Sequence, residues 1–578
     1  MSPWRQMFKF PRKYLIAVAG FGGATAVMFQ TRNPSSPNSP TDFPFINGLV
    51  RSSRALFTIT SNAVDYTYSL HGLTQNTEDY LWAVTEVHLR SAKRILRLCE
   101  ANKGVYVKAG QFAAAMRVKQ VPKEYSSTLS SLQDQAVPCP FESIKEVLSN
   151  SLGPNSSEIF LSFDEQPFAA ASVAQVHHAV LRDNKEVVVK VQYPGLEYQM
   201  KFDLATMSFI SKFASWFFPE CRFEWLVSEF KKSITFELDF IEEAKNLEQM
   251  SENFKSNSMI RFPQVYWGFT TRNVLTMEFC KGFKKWAINK KLSSSQVDDL
   301  NLMKQTGISP SKVSKALADA VSEMIFVHGF LHGDLHPGNV LVCPDGRNGF
   351  SLVLLDFGIC KKLDEAFRLN FCQLWEALIL NDSNKIQQLG DNFGIGKYSR
   401  YLPVIFTGRT IESKSALSRG MSVEKKQSLN KDLKSLRIED ISSFFESLPN
   451  EFLTVLRADG LLRSLIIKLG ASQRQRLLSY AKYALHGLSL KPNSGSESAI
   501  GAVYFRFQIG IRYIHMRLLF AMLELMSWMG NIQQASAERF NRFLSSARYA
   551  LTLTRRGLHI CCAHAFTWEF ASKIVLFI

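Results

Sequence analysis

The sequence predicts an α+β body of two lobes, with a helical extension at each end. Strand-forming runs gather between residues 151 and 282 and return briefly at 340–342 and 352–355. Helical periodicity surrounds them, and beyond residue 365 it is the dominant pattern. Strands first and helices later is the order of an α+β arrangement. The chain has 578 residues, room for several domain-sized units. Hydrophobic residues at 46 % against 21 % charged exclude wholesale disorder.

The first 41 residues contain Arg5, Lys9, Arg12, Lys13 and Arg32 and no acid, as a mitochondrial import signal does. Tyr14 to Phe29 is an apolar run of sixteen residues. As a helix it would be about 24 Å long, short of a hydrocarbon core of roughly 30 Å. An import signal with membrane arrest, in the inner membrane, is the expected reading. A plastid signal is the alternative, although residues 1–30 hold Ser2 as their only serine. Residues 33–41, Asn-Pro-Ser-Ser-Pro-Asn-Ser-Pro-Thr, form a linker. The first segment is therefore 1–41.

From Glu78 to about Gln120 the pattern is helical, with Ile95, Leu98 and Cys99 on one face and Arg90, Lys93, Arg94 and Arg97 interleaved. Pro122, Pro138 and Pro140 punctuate the next stretch, and a short helix at 141–153 stops at Gly153. Val187 to Val191 is a β-branched strand with Lys190 embedded in it. Helical periodicity covers 200–255, and Val274 to Phe279 is a second strand. A helix at 311–328 leads into a Gly/His/Pro loop at 329–338 and then the two short strands. The segments are thus 75–150, an N-terminal helical extension; 151–282, an N-lobe; 283–400, a C-lobe; and 401–578, a basic helical extension.

The net charge of +17 would suit a nucleic-acid binder, but its distribution excludes one. Residues 1–60 hold seven Lys/Arg against one acid, and 401–578 hold 24 against 12. The middle, with 37 bases and 38 acids, is neutral. In the tail, Phe505, Ile509, Arg512, Tyr513, Met516, Leu519 and Phe520 share helical spacing. They read as ordinary core or as a surface for anionic membrane lipids. The nine cysteines include no C-x-x-C pair and are read as small buried hydrophobes.

The chemistry lies in His332-Gly-Asp-Leu-His-Pro-Gly-Asn339 and Leu354-Leu-Asp-Phe-Gly358. Phosphoryl transfer needs a carboxylate to orient the acceptor and oxygen ligands for Mg²⁺. Asp334 and Asn339, five apart in a loop, with Asp356 at the end of a strand, have the spacing of protein kinases. A lysine amid four valines is costly to bury without an anion. Nucleotide phosphates or Glu243 on the following helix would supply one. His332 and His336 are four apart, but in a loop rather than a helix, so they read as loop-holding residues and not zinc ligands.

The order of these motifs resembles the aarF-domain-containing (UbiB-type) atypical kinases, over roughly residues 75–400. Three departures from ordinary kinases carry the resemblance. Ala169-Ala-Ala-Ser-Val-Ala-Gln-Val176 stands where a glycine-rich loop would be. Lys108-Ala-Gly-Gln111 resembles the family's K-x-G-Q motif. Glu237-Leu-Asp239 with Glu243 resembles its acidic helix. The segment Val87 to Lys93 and the long tail look most like the aarF-domain-containing kinase 1 subgroup.

The resemblance implies a protein-kinase-like fold using ATP and Mg²⁺. It implies that Asp334 and Lys190 are catalytic, Lys190 binding phosphates and pairing with Glu243. Asn339 and Asp356 would hold the metal. Ala169, Ala170, Ala171 and Ser172 would cover the nucleotide, and Met277, Glu278 and Phe279 would form the hinge near adenine through backbone groups. Lys108 and Gln111 would close the acceptor side, held by Glu237 and Asp239. Glu237 and Asp239 are two apart, so on a regular helix they point in different directions. The expected activity is transfer to water or an unknown small-molecule or lipid acceptor, in mitochondrial lipid or quinone homeostasis. A nucleotide-binding pseudokinase scaffold and a protein serine/threonine kinase are the alternatives.

Overall fold

A computed structural model describes residues 44–525, except 75–76, 116–121, 134–137, 172, 218–223, 281–299, 346–348, 409–447, 490–506 and seven positions between 508 and 524. The expected tether and linker, Ser172, and most of the tail's apolar positions (Phe505, Ile509, Met516, Leu519 and Phe520) lie outside the described residues.

The chain enters through α1 (Pro44–Ser69), α2 (Glu78–Asn102), α3 (Val105–Ala115) and α4 (Lys123–Leu129). Ion pairs join this group. Asp65 of α1 accepts from Arg90 and Arg94 of α2, and Arg51 pairs with Asp203 farther along. The helix expected over 78–120 is broken. Lys103 and Gly104 both take left-handed backbone (φ +54° and +52°), which turns α3 onto a new axis. Gly110 then lets α3 approach closely, since a Cβ there would sit 2.4 Å from Leu132.

Next come α5 (Phe141–Leu152), α6 (Ser156–Ile159), β1 (Phe160–Phe163), β2 (Ala169–Ala170), β3 (Ala174–Leu181) and β4 (Glu186–Gln192). The region expected to be helical over 200–255 is three helices: α7 (Leu196–Phe217), α8 (Glu224–Glu237) and α9 (Phe240–Asn253). β5 (Ile260–Arg261) and β6 (Val274–Glu278) follow. The antiparallel order is β1-β3-β4-β6, with β2 beside β3. Strand alternation decides where the embedded lysine goes. Val187, Val189 and Val191 pack with Ile144 and Leu148 of α5. Val188 and Lys190 point to the other face, toward α9.

The second lobe holds α10 (Leu300–Gln305), α11 (Pro310–Glu323) and a π-turn at Met324–His328. β7 (Phe330–His332), β8 (Val340–Asp345), β9 (Gly349–Leu354) and β10 (Cys360–Lys362) come next. The loop expected at 329–338 thus opens with a strand, pinned by pairing with β10. β5 joins β9 in parallel, so the chain before the hinge is stitched beneath the catalytic loop.

The lobe continues through α12 (Glu365–Leu380), α13 (Ser383–Asn392), α14 (Leu402–Thr407), α15 (Asn450–Lys468) and α16 (Gln473–Ser489). α15 and α16 complete its core. Phe326 stacks on Phe371 with ring centres 5.6 Å apart, and Trp375 meets Tyr480 edge-on at 4.7 Å. Phe452 closes the cluster against Phe371 and Phe406.

Beyond α16, Arg512 reaches Glu376 at 3.4 Å and Tyr513 packs on the core. Phe507, Ile511, Ile514, Leu518, Met522 and Leu525 are exposed. No helix among the described residues is long and apolar enough to cross a membrane. The six described cysteines are free, and burial pushes the thiols of Cys99, Cys280 and Cys372 up to about 12.

Candidate active site

β4 delivers Lys190 to the cleft and α9 delivers Glu243 to meet it. The Lys190 ammonium lies 2.8 and 2.9 Å from the two Glu243 oxygens and 3.4 Å from Asp356 Oδ1. The face of Phe240, 5.1 Å away, adds a cation–π contact. Burial works against the charge on Lys190, but Asp356 and Glu243 overcome it and raise its pKa well above the lysine range. Burial also lifts the Glu243 carboxyl to about 7, against the pull of Lys190. Asp356 follows β9 with a left-handed φ of +61°, a rare conformation for a residue with a side chain. Burial opposes its ionisation, but Lys190 and Lys108 outweigh this and hold it well below the carboxylate range.

The loop between β7 and β8 is fixed from within. His332 is buried, which keeps its ring neutral. Its Nδ1 accepts the Asp334 N–H at 3.1 Å, and its Nε2 lies 3.3 Å from the Leu355 carbonyl. Asn339 donates from Nδ2 to the Asp334 carbonyl at 3.0 Å, which leaves its amide oxygen for a ligand. Phe357 is buried against the His332 ring. Asn339 and Asp356 supply uncommitted or ionised oxygens on adjoining segments, the donor type that Mg²⁺ prefers. Among the described residues no group of three or more His, Cys, Asp or Glu could hold a metal ion.

Ala169 and Ala170 pair with Val176 and Gln175, and Ala171 N–H bonds to Ala174 at 2.8 Å, so the alanine segment is a tight hairpin. At the hinge, the amides of Glu278 and Phe279 are already bonded to Gln264 and Glu186. Their N–H groups are therefore not available to adenine. A cavity of about 230 Å³ opens here, lined by Arg261, Glu278, Phe279, Cys280, Cys343 and Val353. Cys280, one residue past the expected hinge, belongs to this wall, and nothing in its sequence setting marks it.

The acceptor side departs from the expected pairing. Lys108 of α3 reaches Glu237 at 2.6 Å, and Asp356 and Asp334 help hold it charged against burial. Asp239 does not reach it. α8 ends at Glu237, and Asp239 instead caps α9, accepting from Ile241 and Glu242. Gln111 does not share the contact either; it donates to the Leu132 carbonyl at 2.9 Å and secures α3 to the turn after α4. A residue that the sequence does not single out completes the site: Arg457 of α15 donates to Asp334 Oδ1 at 3.1 Å. No local motif marks it, because its partner is 123 positions away.

The strand lysine, helix glutamate, looped Asp and Asn, and strand-end Asp together define an atypical kinase-like protein. Residues 131–390 match the ABC1 atypical kinase-like domain. AarF domain-containing protein kinase 1 of Xenopus laevis is 38 % identical over 444 residues, 76 % of this chain and 82 % of that one. Its namesake in Mus musculus is 34 % identical over 469 residues, 81 % and 86 % of the two chains. The solved Rv3197–erythromycin complex from Mycobacterium tuberculosis is 20 % identical, with a TM-score of 0.44 over 70 % of this chain and 100 % of that one. The chain belongs to the AarF domain-containing kinase family.

Proposed function

We propose that this protein uses Mg-ATP to pass a phosphoryl group to water or to a small lipid-like acceptor, at a mitochondrial membrane and in lipid or quinone homeostasis. The observation that carries the reading is the joint contact of Lys190 with Glu243 and Asp356 beside the Asp334–Asn339 loop. Lys190, oriented by Glu243, would meet the inner phosphates. Asn339 and Asp356 would hold Mg²⁺, which supplies charge neutralisation when bound. Asp334 would accept a hydrogen bond from the acceptor hydroxyl and aim its oxygen at the terminal phosphorus. Lys108 and Arg457 both bear on Asp334. A peptide would have to displace both side chains, whereas water or a small head group need not. The basic tail and the exposed apolar residues at 507–525 support a membrane lipid as its source.

Full-length protein with Mg-ATP and anionic liposomes should release phosphate, and Asp334→Asn should not. A reporter carrying residues 1–41 should reach mitochondria; cytosolic retention would overturn that placement. Untargeted lipid profiling of cells carrying Asp334→Asn would narrow the acceptor. One observation favours a second reading, a nucleotide-binding scaffold: Arg457 already occupies an oxygen of Asp334. Wild-type release no greater than that of Asp334→Asn would decide for it.

A further inference from the structure

A groove of about 350 Å³ lies where α9 gives way to β5 and shares no residue with the cleft described above. Its apolar lining is Met259, Ile260, Ala316 and Phe350. Lys312, Lys315 and Asp319 of α11 have the spacing of one helix face, and Tyr483 of α16 completes the wall.

Regular structure holds the groove open. Ile260 belongs to β5, which pairs in parallel with β9, and the Met259 carbonyl accepts the Leu352 N–H at 2.8 Å. Asn257 fixes the turn after α9. Its side-chain oxygen accepts the Met259 N–H at 3.1 Å, and its amide donates to Glu323 at 3.3 Å. A preformed, mostly apolar cavity of this size with a few polar groups is the usual form of a small-molecule site.

The polar groups decide the class of ligand. Asp319 accepts from Lys315 at 2.8 Å and from Ser479 at 2.6 Å. Glu323, nearby, takes Asn257 and lies 3.4 Å from His328. Both acids are thus engaged. Lys312 is exposed, and its ammonium has no ion-pair partner among the described residues. The Tyr483 hydroxyl makes no hydrogen bond among the described residues, and burial keeps its proton in place, so it remains a donor. An apolar floor with one unpaired cation and one hydroxyl donor complements a single negative charge on an apolar chain. A cationic amphiphile would meet Lys312 with no acid free to answer it.

We propose that this groove binds a medium-chain carboxylate, its chain on Met259, Ile260 and Phe350 and its head group at Lys312. The proposal stands apart from the use of Mg-ATP, because the groove can fill whether or not the cleft does.

The test is calorimetric titration of full-length protein with octanoate, below its micelle concentration, and with octanol. Wild type should bind both, octanoate about three- to fivefold more tightly, the scale of one exposed ion pair. Lys312→Gln should erase that preference and leave octanol within about twofold. Ala316→Leu puts a bulkier side chain over the floor and keeps a good helix former, and it should weaken both ligands at least about tenfold. Lys312 is exposed, so its variant decides the matter even where Ala316→Leu does not fold. Wild type that binds neither ligand, or a preference that survives Lys312→Gln, overturns the proposal. So does folded Ala316→Leu that binds as wild type does, which would move the ligands to another apolar surface such as residues 507–525.

Discussion

On the nucleotide side of the cleft, Lys190 and Glu243 come from a strand and a helix in direct contact, with side chains only 11 % and 2 % exposed. On the acceptor side, Lys108, Arg457 and Asp334 come from a helix before the first lobe, a helix after the second, and a loop. Their side chains are 22 %, 31 % and 21 % exposed. Burial would account for the different roles proposed for the two sides. A charge pair sealed from water is costly to open from one side, so it holds a fixed cofactor well. Pairs that keep some contact with water, on long side chains, open at lower cost, so they could part for the proposed acceptor and close again.

Four measurements put this contrast at risk. The largest effect belongs to the sealed pair. Lys190→Met leaves Glu243 buried and unpaired, and denaturant unfolding should show a loss of about 3–5 kcal/mol. A loss typical of surface pairs would show that the two sides are not distinct. Next, Asp356→Asn should weaken Mg-ATP binding at least about tenfold by calorimetry, about 1.4 kcal/mol. Unchanged affinity would remove Asp356 from the metal site.

On the acceptor side, Arg457→Gln and Lys108→Ala should each raise autophosphorylation about two- to tenfold, the scale of an opened, partly exposed pair. If neither variant rises, this side is as fixed as the other. The smallest effect concerns the brace between α1 and α2. The hydrogen bond from Arg90 holds Asp65 at about 2, against an ordinary 3.8. A lowered carboxyl stabilises the fold above its unfolded value. The contribution should therefore be complete above about pH 4 and fade as pH falls toward 2, by about 1 kcal/mol after screening. Urea unfolding of Asp65→Asn should lack that slope.

The nucleotide side was legible in the sequence because each of its groups announces itself locally. Lys190 interrupts a run of valines, Asp334 and Asn339 share one loop, and Asp356 sits in Asp-Phe-Gly. The acceptor side was only half legible. Lys108 was singled out, but which carboxylate reaches it depends on where α8 stops, and a stop at Glu237 followed by a cap at Asp239 is set by packing rather than periodicity. Arg457 was invisible because an arginine in an amphipathic helix carries no sign of a partner so far away. β7 and β10 are three residues each, too short for alternation to show. The break between α2 and α3 had a signal in Gly104, but Lys103 beside it, also left-handed, had none.

The aromatic cluster that joins α15 and α16 to the second lobe also sets a timetable. When a ribosome has added Asp356, every group proposed to handle phosphate exists, yet Tyr480 is still 124 residues away. At about 5–20 residues per second that gap lasts roughly 6–25 s. During it Phe326, Phe371 and Trp375 lack the rings that later cover them. The lobe proposed to act on the nucleotide is thus finished last from behind. A chain cut at residue 390, where the family match ends, would be held at that unfinished moment, with its aromatic wall open to chaperones and to other copies of itself.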